Sequence, residues 1–179
     1  MDVTIVLFAF ALVARIWKMM VNNVFFRHQA QISLRDGFIY VTIPTNLTWS
    51  PGMHVFLRFA HIRPFESHPF TILSIPTPDD EGLNQMLFMI RPVAGFTSVL
   101  AGVAATVSPK RKLPVILDGP YGETGANTLN SYDSILLFAG GTGITYIAPL
   151  LADLVRAMEQ NGGPCKVVEV CWTVRSIGE

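Results

Sequence analysis

Cysteine is scarce: two residues in 179, Cys165 and Cys171. Two thiols cannot form a disulfide framework. Six positions apart in an expected strand, they face one side with α-carbons about 20 Å apart, beyond disulfide reach. Both read as buried thiols of a reducing compartment. Charge is also sparse, at 15 % of residues, and 13 basic side chains balance 13 acidic ones. That balance gives no reason to expect nucleic acid as a partner. No run of 20 apolar residues occurs; the longest, "VTIVLFAFALVA" (residues 3–14), has 12 and contains Thr4. A run of that length does not span a bilayer by itself. His28, His54 and His61 read as surface or strand residues, because no pair has metal-ligand spacing. No Ser-His-Asp arrangement suggests nucleophilic catalysis.

What is present is grease: half the chain is hydrophobic and the mean hydropathy is +0.41. The opening run is followed by Arg15, Trp17 and Lys18. A signal peptide would carry its positive charges before the run. Two readings stand: a buried core helix, or the last half of a transmembrane helix occupying residues 1–21. In the second, Trp17 lies at headgroup level and Arg15, Lys18 and Arg27 mark the cytoplasmic side. The residues after about 20 would then be cytoplasmic, and the chain would be membrane-associated.

Residues 28–117 have the pattern of short strands. "QISLRDGFIYVTIPT" gives two around Asp36-Gly37, a hairpin signal. "MHVFLRFA", "PFTILSI" and "QMLFMIRPV" follow, and "KLPVILDGP" (residues 112–120) supplies a sixth strand. Joined by Pro- and Gly-rich turns, they predict an antiparallel β-barrel over residues 24–124. A helix from Thr97 to about Ala105 interrupts them, with Thr97 or Ser98 as its cap.

After Gly122 the period changes. "SILLFAG" is a continuous apolar run, expected of a parallel strand covered on both faces. Ile144, Ile147, Ala148, Leu151, Leu154, Val155 and Met158 follow helical spacing. Pro149 requires either a start near Ile147 or a kink. "NGGP" stops the helix and "KVVEVCWTV" is a second buried strand. This strand–helix–strand unit predicts a partial α/β nucleotide-binding domain over residues 125–179.

Four stretches have the composition of a cofactor cradle. In "LLFAGGTGIT", Gly140, Gly141 and Gly143 lie between strand and helix, where backbone N–H groups can meet a phosphate. The spacing is not G-x-G-x-x-G, and such a turn is often merely structural. "DGPYG" (residues 118–122) reads as an interdomain linker, a cleft loop, or both. "RPVAGFTSVL" ends a strand and opens a helix, so amides near Thr97 and Ser98 can hold a pyrophosphate. In "HPFT", Phe70 can stack on a tricyclic ring, Thr71 can bond to the ring edge, and His68 can meet a phosphate or ribose oxygen. Ordinary strand packing is the other reading.

In their order, HPFT, GFT, GPYG, GGTGIT and then "CWTVRS", these stretches resemble the ferredoxin reductase-like superfamily. Within it they resemble the ferric reductase and NADPH oxidase family of membrane flavocytochromes, with the best fit to fungal ferric reductase transmembrane components. The resemblance covers about residues 10–176. It implies that His68, Pro69, Phe70 and Thr71 hold FAD, with Phe70 on the isoalloxazine and Thr71 near its N5 edge. Gly95, Phe96 and Thr97 would lie along the FAD pyrophosphate. Gly119, Pro120, Tyr121 and Gly122 would contact NADPH, together with Gly140, Gly141, Thr142, Gly143 and Ile144. Arg175, after Trp172, would meet the 2′-phosphate. The implied activity is an NADPH-dependent ferric reductase-like oxidoreductase, passing electrons through FAD to haem and then to ferric iron, in electron and iron transport. The alternative is a non-catalytic, membrane-tethered FAD-binding barrel. The family carries haem on upstream helices with paired histidines, and these are not in this sequence; nor is its Cys-Gly tail. The chain therefore reads as the central piece of a reductase, partnered by nucleotides, a membrane and a haem-bearing membrane domain.

Overall fold

The computed structural model describes residues 3–24, 28–108, 111–122, 129, 131–161 and 164–174. A 22-residue helix, α1 (Val3–Val24), opens the chain. It extends past the expected end at residue 21, but among the described residues no helix is long and apolar enough to cross a membrane. The expectation of a membrane helix is corrected to that extent. The core-helix reading fails too, since every α1 side chain described is exposed.

Strands β1 (Gln29–Arg35) and β2 (Phe38–Thr45) form the expected hairpin. Asp36 (φ 50°) and Gly37 (φ 76°) are both left-handed. A two-residue turn of this kind matches the strand twist and favours Asp-Gly. Strands β3 (His54–Arg58), β4 (His68–Thr71) and β5 (Asn84–Ile90) follow. In β2, Ile39, Val41, Ile43 and Thr45 are buried alternately; Met86, Phe88 and Ile90 do the same in β5. Period-two burial places one face of each strand in the core.

The expected sixth strand is two. β6 (Lys112–Pro114) pairs with β1, and β7 (Ile116–Tyr121) pairs with β3. Pro114 has no N–H to continue the ladder, and the chain changes sheets at Val115, whose N–H donates to the His28 carbonyl (3.2 Å). The barrel is thus built from two antiparallel sheets, ordered β5-β2-β1-β6 and β4-β3-β7. Beyond β4 the chain crosses back: Leu73 N–H donates to the Leu87 carbonyl (2.8 Å), and Ser74 Oγ donates to the Gln85 carbonyl (2.8 Å). Ile32, Val41, Leu57, Ile72, Phe88, Leu100 and Leu117 meet in one core, each contributing roughly 1.5–3 kcal/mol by leaving water.

Helix α2 (Phe96–Thr106) begins one residue before the sequence predicts. Its N-cap is Gly95, without a side-chain cap hydrogen bond. Thr97 does not cap it: Thr97 Oγ1 donates to the Ala94 carbonyl and accepts from Val93 N–H (both 3.1 Å).

Strand β8 (Ser134–Gly140), a 3₁₀ turn (Gly141–Gly143), helix α3 (Ile144–Asn161) and strand β9 (Val167–Thr173) form the expected unit, with β8 and β9 parallel. The helix starts at Ile144 with Pro149 inside it, so the bond from residue 149 to the Thr145 carbonyl is missing. Ile147 and Leu154 pack on Ile135, Leu137 and Ala139. Both strands were expected to be buried on two faces. Instead Leu136 and Phe138 are exposed, as is most of β9. α3 covers one face, and nothing among the described residues covers the other. The cysteines differ from expectation as well: Cys165 is buried ahead of β9 and Cys171 is exposed within it. Of the histidines, His28 is not a surface residue but only 2 % exposed.

Candidate functional site

β4 lies at the edge of its sheet, so its residues have a strand on one side only. Phe70 stands opposite Val55 and Thr71 opposite His54. Phe70 is half-buried, packed against the core, and is not enclosed by it. The His68 ring stacks on Phe96 at 4.5 Å and 15°. Phe96 is itself 4 % exposed, with Phe59 6.2 Å and Phe70 6.5 Å from its ring. HPFT and GFT, separate in sequence, therefore meet through one buried ring. Phe96 was expected along a pyrophosphate; its ring belongs to the core, and its main chain stands at the α2 N-terminus. Pro69 is exposed. Glu66 lies 3.3 Å from His68 Nε2 and 3.7 Å from Arg63, an exposed network worth little in stability.

The α2 entry fits a phosphate. No side chain caps it, so its first-turn N–H groups keep their bonding capacity. Gly95 has φ +61°, and a Cβ built there meets nothing within 4 Å. An aromatic face beside uncapped amides and open space is a donor set that suits a flavin dinucleotide.

Gly119 answers a different need. At φ +140°, an added Cβ would lie 3.0 Å from Val55 Cγ1 and 3.3 Å from the His54 carbonyl. Pro120 and Tyr121 continue β7, and Gly122 follows at φ +105°. Asp118, only 8 % exposed, accepts from Arg15 of α1 through Nε (3.1 Å) and Nη2 (2.7 Å), both to Oδ2. Tyr121 donates its hydroxyl to Asp118 Oδ1. Burial first, then the bond to Asp118, pushes the Tyr121 hydroxyl up to about 12. Neither Arg15 nor Asp118 is among the residues expected at the site. The signal was the acid inside "LDGPYG", a charge in an apolar strand.

The glycine turn after β8 is open as well: a Cβ at Gly141 (φ +51°) or Gly143 meets nothing within 4 Å. Thr142 is exposed and Ile144 half-buried. Trp172 Nε1 donates to the Gly141 carbonyl (3.0 Å), and Thr173 Oγ1 to that of Ala139 (3.3 Å). Trp172 thus steadies the turn that ends in Gly140–Ile144. Arg175 lies outside the described residues. A cleft of about 550 Å³ is lined by Leu73, Ser74, Asp79 and Gln85 from the barrel side and Ala152 from α3, and none of its described lining residues is an expected site residue.

Two family models match: an FAD-binding domain over residues 26–125 and a ferric reductase NAD binding domain over residues 132–179. The chain belongs to the ferric reductase family. This is a family of oxidoreductases built from FAD-binding and NAD-binding domains. The "Probable cell surface ferric reductase kap2" of Aspergillus oryzae is 34 % identical over 148 residues, 80 % of this chain and 20 % of that protein. "Ferric reductase transmembrane component 1" of Schizosaccharomyces pombe is 24 % identical over 81 % of this chain and 32 % of that protein. The chain thus spans a third or less of the length of these curated relatives. Among solved structures, "Ferredoxin reductase in carbazole 1,9a-dioxygenase" superposes with a TM-score of 0.60 at 18 % identity, over 84 % of this chain and 42 % of that one. That likeness establishes the ferredoxin reductase-like fold.

Proposed function

We propose that this ferric reductase chain holds FAD against β4 and α2 and faces NADPH with its glycine turns, within a membrane-associated enzyme that delivers electrons to haem and then to ferric iron. The supporting observation is the meeting of HPFT with the uncapped entry of α2 across Phe96. Bound FAD would supply two-electron uptake and one-electron release. The chain's own residues bind and orient. Phe70, half-buried against the core, offers its ring for stacking, and Thr71 bonds to the ring edge. Amides at Gly95, Phe96 and Thr97 take the diphosphate, with His68 beside them. Gly119–Gly122 and Gly140–Ile144 approach the nicotinamide nucleotide, Trp172 fixing Gly141, and Arg175 takes the 2′-phosphate.

Membrane association, with residues after about 20 on the cytoplasmic side, belongs to the same proposal. The exposed apolar side chains of α1 support it, and so does the printed name of the fission-yeast relative. The haem-bearing partner and the iron step rest on the family alone. The second reading is a flavin-holding module with little NADPH turnover, in which the exposed face of β8 carrying Leu136 and Phe138 holds no nucleotide.

The experiment is direct. The full chain is purified, saturated with FAD and desalted, and its visible spectrum recorded. Flavin bands that persist, and vanish in Phe70→Ala with unchanged far-UV circular dichroism, are expected. A folded chain that desalts colourless removes the flavin reading. Rapid NADPH-driven cytochrome c reduction removes the second reading, and carbonate washing of membranes tests the localisation.

A further inference from the structure

The ion pair between α1 and β7 joins positions 103 residues apart. Both Asp118 oxygens are engaged, Oδ2 by Arg15 and Oδ1 by Tyr121. The Arg15 guanidinium also lies over the rings of Phe56 (5.4 Å) and Tyr121 (5.8 Å). His54 closes the cluster, edge-on to Phe56 at 5.7 Å and tilted to Tyr121 at 6.2 Å. A cation so placed gains from both rings and from a carboxylate already withdrawn from water. Among the described side chains of the helix that carries it there is no comparable apolar hold: Phe8, Phe10 and Trp17 are each at least 70 % exposed. Register then carries the contact inward. Tyr121 and Thr71 both pair with His54, and Asp118 and Pro69 both pair with Phe56. Arg15 therefore acts one strand away from the edge assigned to the flavin.

We propose that Arg15 is a positioning residue: through Asp118 and Tyr121 it locks α1 onto the β3–β7 face and, through β3, holds the β4 edge in its FAD-binding shape. The effect on ligand rests on the proposed FAD site; the lock itself does not. The bond to Asp118 and its negative charge raise the Arg15 pKa above its ordinary value, which favours the charged guanidinium. A lysine lacks the planar fork and stacks poorly, so it should restore charge without the full lock.

Hydrogen exchange of the full chain tests this, with Arg15→Met, Arg15→Lys, Asp118→Asn and the Arg15→Met/Asp118→Asn double variant. Amides of residues 116–122 should exchange at least about tenfold faster in Arg15→Met, the scale of a lost charge-assisted hydrogen bond, while β2 and β5 stay protected. Arg15→Lys should fall between, and the double variant should be no worse than the poorer single one. FAD affinity, read by flavin fluorescence, should fall with the exchange protection. Unchanged exchange in Arg15→Met overturns the lock. Faster exchange with unchanged FAD affinity overturns the positioning role. If the parent chain binds no FAD, the functional reading fails by itself, and the exchange arm still decides whether the lock exists.

Discussion

Phe96 joins HPFT to GFT, the two halves of the proposed flavin cradle, and its removal should be felt in both stability and binding. Its ring is buried and touches Phe59, His68 and Phe70. Phe96→Ala loses the transfer free energy of the ring and leaves a cavity, about 3–5 kcal/mol. Phe96→Leu keeps most of the apolar burial but loses the aromatic pairs, about 1–1.5 kcal/mol. Against a total of roughly 5–15 kcal/mol, the alanine variant is crippled but still measurable. With a urea slope near 2 kcal/mol/M, its midpoint should fall by about 2 M, and that of the leucine variant by about 0.5 M. Urea titration followed by far-UV circular dichroism reads both, and FAD titration should show weakened binding in both, because His68 loses its stacking partner. An alanine midpoint within about 0.5 M of the parent would refute the argument, since a ring that cheap to delete cannot join the two motifs.

Other outcomes follow from particular residues. Gly119→Ala should destabilise by roughly 1–3 kcal/mol, because φ +140° strains any side chain and the methyl group would press on Val55 Cγ1 at 3.0 Å and the His54 carbonyl at 3.3 Å; a thermal melt equal to the parent's would contradict this. Tyr121 ionises near pH 10 when unfolded and near 12 when folded. The folded state therefore keeps its proton longer, and stability should fall as pH rises through that window; denaturation midpoints of Tyr121→Phe should show a flatter decline there. Arg175→Ala should raise KM for NADPH at least about tenfold while leaving NADH unchanged, as loss of a charge-assisted phosphate contact requires; equal effects on both nucleotides would remove the 2′-phosphate role.

Local chemistry made much of this protein legible. Asp36-Gly37 can adopt left-handed angles at low cost, so the first hairpin is written in two residues. Alternation in "FIYVTIPT" and "NQMLFMI" encodes which face enters the core, because the strand period is two. The ordered HPFT, GFT, GPYG and GGTGIT stretches named the family, since each needs a particular glycine or aromatic at a fixed place. Other features depend on neighbours far along the chain. Burial of β8 and β9 depends on what lies over them, and an apolar run cannot say whether one face or two are covered. Pro114 splits a strand only because Val115 finds a partner at His28 on another segment. Arg15 reads as a membrane-flanking charge by composition, yet Asp118, 103 residues away, takes it as a counter-ion; a sequence lists charges, and only the fold brings them within reach of each other.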